Sequence, residues 1–211
     1  MTGMRPAGDR ALLLETGDPQ TTVAVANALH RARLPEIEDL VPAAATVLVR
    51  VARGTDLDAL GRQLLDLAAT AESTGAPAEE HDELVIPVSY DGPDLADVAA
   101  ATGLSEAEVI AAHAGTPWRA AFVGFAPGFT YLVGGDPRLA VPRRSQSRTG
   151  VPAGSVALAG EYSAVYPRES PGGWQLIGTT DATLWDETAQ PPAAIQPGRW
   201  VRFVDKKEGR A

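Results

Sequence analysis

The sequence contains no cysteine, and Lys206 and Lys207, close to its C-terminal end, are its only lysines. Without thiols the chain has no disulfide, no thiolate nucleophile, no zinc–cysteine cluster and no iron–sulfur site. That absence accords with a reducing cytoplasm, where the protein is expected. With both lysines in a charged tail, a P-loop lysine is missing, and a biotinylated or Schiff-base lysine is disfavoured. ATP chemistry would therefore need a different phosphate site or a partner chain. No apolar run is long enough to span a bilayer. The stretch from Ala11 to Leu14, preceded by Arg5 and Arg10, stops at Glu15 and is too short for a signal sequence. A net charge of −9 argues against nucleic-acid binding, which ordinarily uses a basic face to displace counterions.

What is present describes a folding chain. Its 211 residues are 45% hydrophobic and 21% charged, ordinary for a globular protein, and the length suits two small domains. The first half reads as strand, helix, strand, strand, helix, strand. Residues 11–15 form a strand, and residues 18–33 a helix with Val23, Ala26 and Leu29 at helical spacing, stopped by Pro35. Residues 37–41 and 46–51 are strands, the second alternating Val47, Val49 and Val51 with Thr46, Leu48 and Arg50. Thr55 and Asp58 read as the cap of a helix carrying Leu57, Leu60, Leu64 and Leu67 on one stripe. A break at Gly75 precedes a strand over 83–90, whose Pro87 implies an edge or bulge. This order predicts a ferredoxin-like βαββαβ domain over residues 1–89.

Beyond Tyr90 the texture changes. A turn at Asp91-Gly92-Pro93 leads to a short helix through Leu95, Val98 and Ala99, closed by Gly103. Ser105 and Glu108 form a capping box opening a second helix that ends near His113. From Arg119 onward, short β-prone runs alternate with Gly and Pro, which predicts an α+β chain whose residues 90–205 form a small β-barrel of prolyl-isomerase-like type. Residues 206–211 are a charged tail.

Three segments carry candidate chemistry. The run FVGFAPGFTYL places Gly124, Phe125, Pro127, Gly128 and Phe129 where glycines allow tight turns and rings could wall an apolar pocket. On the residues alone Phe125 reads as core, and Phe129 fits core or pocket equally. A cationic run, Arg138, Arg143, Arg144 and Arg148, ends at Val151-Pro152-Ala153-Gly154-Ser155. Guanidinium groups suit a carboxylate or phosphate, although a single exposed arginine is ordinarily just solvated. The segment YPRESPGGWQLIG puts Ser170, Pro171, Gly172 and Gly173 in a tight turn ahead of Trp174, and such a turn could offer backbone N–H groups to an oxyanion or simply connect a hairpin. His113 is the natural proton carrier near these segments, although on its own it reads better as a histidine stabilised at a helix C-terminus. No G-x-S-x-G, H-E-x-x-H or G-x-G-x-x-G signature is present, and no metal-ligand set is evident.

Taken in order, GPDLADVAAATGLSEAEVIAAH, VGFAPGFTYL, DPRLAVPRR, VPAGSVALAG and YPRESPGGWQLIG resemble the KipI-like, or allophanate-hydrolase-subunit-1, family. The likeness runs from about Tyr90 to Phe203, while the first half agrees only in general pattern. The resemblance implies a cyclophilin-like barrel and a place in a multi-subunit, ATP-dependent 5-oxoprolinase that converts 5-oxo-L-proline to L-glutamate. It further implies KipA-like and LamB/YcsF-like subunits as partners, with ATP bound by or shared with them, and a chain inactive alone. Family positions fall on His113, Gly124, Phe125, Pro127, Gly128, Phe129, Arg143, Arg148, Pro152, Ser155, Ser170, Pro171, Gly172, Gly173 and Trp174. The roles implied are an anion clamp at Arg143 or Arg148, a pocket wall at Phe129, backbone donors at 171–173 and a proton carrier at His113. Two positions depart from the family: Thr179 and Ser147 stand where arginine and proline are usual. Two other functions fit the same resemblance: an inhibitor that binds a sensor histidine kinase, and a component of a biotin-dependent urea or allophanate system.

Overall fold

The computed structural model describes residues 3–74 and 83–207. The break at Gly75, His81 and the last residues of the charged tail lie outside the described residues. The chain divides into two compact units, Met1–Glu80 and His81–Ala211.

The first unit contains β1 (Gly3–Pro6), β2 (Ala11–Glu15), α1 (Pro19–Ala32), β3 (Ile37–Pro42), β4 (Thr46–Val51) and α2 (Leu57–Thr74). The strands form an antiparallel sheet in the order β1-β2-β4-β3. Alternation works as the side-chain period of two requires: Val47, Val49 and Val51 turn inward with Leu12 and Leu14, onto Leu29 of α1 and Leu60 and Leu64 of α2. Asp18 caps α1 by accepting the Thr21 N–H at 2.8 Å, and Pro19 stands where a missing donor costs nothing. The cap of α2 differs from the expected Thr55–Asp58 pair. The Asp56 carboxylate accepts the N–H groups of Asp58 and Ala59, both at 3.0 Å, while the Thr55 hydroxyl donates back to Ala52 O. A full negative charge against the helix N-terminus outcompetes a hydroxyl there.

The expected fourth strand of a βαββαβ unit is not in this sheet. Residues Glu83–Val88 form β5 and pair, in parallel, with β13 (Trp200–Asp205) in the second unit. The edge beside β2 is taken instead by β1, a GMRP stretch whose Gly and Pro gave no strand signal.

After β5 the second unit continues through α3 (Leu95–Thr102), α4 (Glu106–Gly115), β6 (Trp118–Val123), β7 (Thr130–Val133), a 3-10 turn at Pro137–Leu139, β8 (Arg148–Val151), β9 (Ser155–Ala159), β10 (Tyr162–Val165), β11 (Ser170–Gly172) and β12 (Gln175–Thr179) before β13. Seven strands make one sheet, ordered β12-β9-β10-β7-β6-β13-β5, and β8 with β11 forms a separate ribbon. The outer strands of the seven are joined by one bridge: Ser89 N donates to Thr179 O and Thr179 N to Ser89 O, both at 2.8 Å. The sheet is thus a nearly closed barrel, and Pro87 sits in an outermost strand, where its missing N–H is tolerated. Thr179 lies at this seam, its hydroxyl donating to Asp91 at 2.9 Å.

The capping box of α4 forms in full between Ser105 and Glu108, and α3 ends on Gly103 at φ 73°. Two buried clusters fill the unit. One packs Ile86, Val98, Val109, Leu132, Val201 and Phe203 among others; the second is built on Phe129, Tyr166, Trp174 and Leu176.

Candidate functional site

The second cluster opens onto a cavity of about 200 Å³ lined by Phe125, Phe129, Tyr131, Arg143, Ser147, Tyr166, Pro171, Gly172, Gly173 and Trp174. Three chain segments meet there. The loop between β6 and β7 contributes Phe125 and Phe129, the loop before β8 contributes Arg143 and Ser147, and the passage from β11 to β12 contributes Pro171 to Trp174.

Local sequence explains each approach. The loop 124–129 closes on itself through Ala126 N to Gly124 O at 2.7 Å and Phe129 N to Ala126 O at 2.9 Å. It forces Phe125 to φ 65°, a left-handed conformation costly for a residue with a Cβ. Phe125 is 59% exposed, so it is not the core residue its sequence context suggests. Phe129 is 1% exposed yet still presents its ring to the cavity, with its centroid 5.6 Å from Trp174 and 5.1 Å from Phe125, both edge to face. Gly172 is required because a Cβ there would lie 2.2 Å from the Tyr166 hydroxyl, and a Cβ on Gly173 would lie 2.9 Å from Ser147 Oγ. Residues 170–172, expected as a free turn, are a short strand paired with β8 across a register shift. Burial, opposed by Arg143 and other nearby groups, raises the Tyr166 pKa, so its phenol stays protonated at neutral pH.

The cations divide into two groups. The Arg143 guanidinium carbon stands 5.9 Å from the Trp174 ring centroid, a cation–π distance, on an exposed residue facing the cavity. Arg144 and Arg148 are held elsewhere, Arg144 Nη1 donating to Asp94 Oδ1 at 2.6 Å and Arg148 Nη2 to the same oxygen at 2.7 Å. Asp94 Oδ2 accepts the Leu176 N–H at 2.7 Å. Burial pushes the Asp94 pKa up, but the Arg148 hydrogen bond, the Leu176 N–H and the charges of Arg148 and Arg144 outweigh it, leaving the pKa below the usual carboxylate value. Of the two positions expected as an anion clamp, Arg148 is thus ion-paired, together with Arg144, to one buried carboxylate, while Arg143 lines the cavity.

His113 is not among the residues that line this cavity. It is completely buried, its Nδ1 hydrogen-bonded to Tyr90 at 2.8 Å and its Nε2 to Ser163 at 2.9 Å. Its ring stacks on Phe203 with centroids 4.3 Å apart. Burial pushes its pKa down to about 3, so at neutral pH it is an uncharged core residue. Ser155 is buried at the start of β9, Pro152 is exposed and Ser170 Oγ donates to Arg168 O; none of the three lines the cavity. Gly124, Pro127 and Gly128 instead line a second, apolar groove of about 610 Å³ together with Trp185, Pro191 and Ile195, and Phe125 borders both spaces.

Asp94 and Tyr166 are the functional neighbours that sequence reasoning passed over. Asp94 sits where an N-cap is expected, yet makes no side-chain cap. The available signal was charge balance, since a run of arginines entering a barrel requires a buried counter-charge.

The class of the domain comes from its family: residues 2–195 match the family model "Carboxyltransferase domain, subdomain C and D". Over 96% of its length the chain is 39% identical to the B subunit of 5-oxoprolinase from Escherichia coli O157:H7, covering 95% of that protein. The chain belongs to this family, in the KipI-like line that includes the 5-oxoprolinase B subunits. Among solved structures, TTHA0988 aligns with 93% of the chain at a TM-score of 0.75 and 36% identity, and the chain spans 40% of that longer protein. The urea amidolyase of K. lactis aligns with 99% of the chain at a TM-score of 0.67 and 19% identity, and the chain covers 15% of it, a likeness in fold alone. No helix among the described residues is long and apolar enough to cross a membrane.

Proposed function

We propose that this chain is the B subunit of a cytoplasmic, ATP-dependent 5-oxoprolinase, in which its cavity binds the carboxylate of 5-oxo-L-proline while the ring is opened to L-glutamate. One observation carries the reading: Arg143 stands over the Trp174 ring in a cavity that Gly172 and Gly173 also line, an exposed guanidinium beside aromatic walls, in a space that suits a small cyclic acid.

The cavity does not suit ATP. At about 200 Å³ it falls below the roughly 300–1,000 Å³ usual for drug-sized ligands, and a nucleoside triphosphate is larger than the acid it fits. No phosphoryl step is therefore placed in this cavity, and on this reading ATP is bound by, or shared with, the KipA-like and LamB/YcsF-like partners. With His113 buried and neutral, what this chain supplies is binding and orientation: Arg143 neutralises the carboxylate, the rings of Phe129, Tyr131 and Trp174 exclude water from the lactam, and the protonated Tyr166 phenol adds no negative charge. The chain alone is inactive on this reading.

The test is reconstitution. Mixed with the KipA-like and LamB/YcsF-like partners, ATP and 5-oxo-L-proline, the chain should be required for glutamate formation, and Arg143→Ala should depress it strongly. Glutamate formed at full rate without the chain would instead favour a regulatory role such as kinase inhibition.

A further inference from the structure

Three arginines enter this part of the barrel, yet only one faces the cavity. Asp94, 1% exposed, takes both of the others on a single oxygen, Arg144 at 2.6 Å and Arg148 at 2.7 Å. Its second oxygen is held by the Leu176 N–H at 2.7 Å, so the carboxylate is fixed from α3 to β12. The Arg144 backbone N–H in turn donates to Gly173 O at 2.8 Å, which ties this anchor to the cavity wall beside Trp174. Arg144 and Arg148 nevertheless retain donors: Arg144 Nε and Arg148 Nη1 are buried without a hydrogen-bond partner. Pairing with Asp94 thus leaves each guanidinium with one donor unsatisfied.

We propose that Asp94 is a specificity-determining residue: by holding Arg144 and Arg148 out of the ligand set, it leaves the cavity a single guanidinium and makes it a site for monoanions rather than dianions. This role rests on the reading of Arg143 as the carboxylate clamp. An acid such as 5-oxo-L-proline carries one negative charge and needs one guanidinium. A tetrahedral dianion gains most from several guanidiniums converging on it, and Asp94 denies it that convergence. A charge-neutral contact in the barrel wall would have no such effect, so the two roles separate in the ratio of affinities rather than in stability.

The experiment titrates the full chain with 5-oxo-L-proline and, separately, with inorganic sulfate, by calorimetry, for wild type, Asp94→Asn and Arg143→Gln. Wild type should bind 5-oxo-L-proline at least fivefold more tightly than sulfate. In Asp94→Asn, shown to be folded by its melting curve, that ratio should fall at least fivefold, chiefly because sulfate binds more tightly. In wild type, the arginine Nε resonances of Arg143 should shift on adding either anion, whereas those of Arg144 and Arg148 should stay in place. A ratio that changes less than twofold in folded Asp94→Asn, while Arg143→Gln has lost 5-oxo-L-proline, removes the role of Asp94 and leaves the clamp standing. Arg143→Gln binding 5-oxo-L-proline as wild type does removes the clamp and this proposal with it. Should Asp94→Asn fail to fold, the wild-type resonances decide: movement of Arg144 or Arg148 with sulfate overturns the proposal, and their stillness beside a moving Arg143 supports it.

Discussion

The two units of this chain are built from different materials. The four Phe, four Tyr and four Trp all lie at or beyond Tyr90, so the first unit packs two helices on its sheet with aliphatic side chains alone, Val47, Val49, Leu60 and Leu64 among them. The second unit uses rings, and it uses them unevenly. Trp118 and Phe203 fill its interior around His113, whereas Phe129, Tyr131 and Trp174 stand edge to face around a hollow. Aliphatic side chains interdigitate until little space remains. Rigid rings meeting edge to face leave room between them, and that room is where the lone cavity-facing guanidinium sits. One unit is thus organised for packing and the other for presenting a site.

Acid should separate the two units most strongly. An unfolded histidine takes its proton near 6.5, and the buried His113 not until about 3. Its contribution is therefore complete above pH 6.5 and is lost as pH falls toward 3, at about 1.4 kcal/mol per pH unit. Stability measured by urea unfolding should show this slope in wild type and lose it in His113→Gln, and hydrogen exchange should place the loss in the second unit. Leu64→Ala probes the other unit. It is fully buried between helix and sheet, so truncation should cost about 2–5 kcal/mol, read as faster amide exchange across 11–71 with the amides of β9 and β12 unchanged. Arg143→Ala should do the reverse, leaving the melting temperature within a degree or two while lowering kcat/KM in the reconstituted complex. Loss of one hydrogen bond to a charged group is worth about 1.5–3 kcal/mol, on the order of 10- to 100-fold. The smallest effect belongs to Ser105→Ala, which removes half of the α4 capping box and should cost about 1 kcal/mol in the second unit's unfolding free energy.

Legibility in the sequence followed the same division. Elements with strong period or caps, such as the alternating valines of β4, the leucine stripe of α2 and the Ser105–Glu108 box, were readable because local physics determines them. Strand β1 was not, since GMRP carries no alternation and is stabilised by pairing with β2. Nor was the destination of β5: nothing within Glu83–Val88 distinguishes an edge beside β2 from a parallel partner for β13, far along the sequence. At the site, the three segments that meet were visible as Gly-Phe, arginine and Pro-Gly-Gly runs. What each side chain does there was not. His113 looked available because helix position says nothing about what covers it, Arg148 looked free because its counter-charge lies 54 positions away, and Phe125 looked like core because a left-handed φ leaves no mark in composition.

Whether Arg143 and its aromatic walls receive a carboxylate is best decided by titrating the full chain with 5-oxo-L-proline and with 2-pyrrolidone, the same ring without its acid. The acid should bind at least tenfold more tightly than the neutral lactam, and the gap should close in Arg143→Ala. Equal affinity of wild type for the two rings would refute the carboxylate clamp.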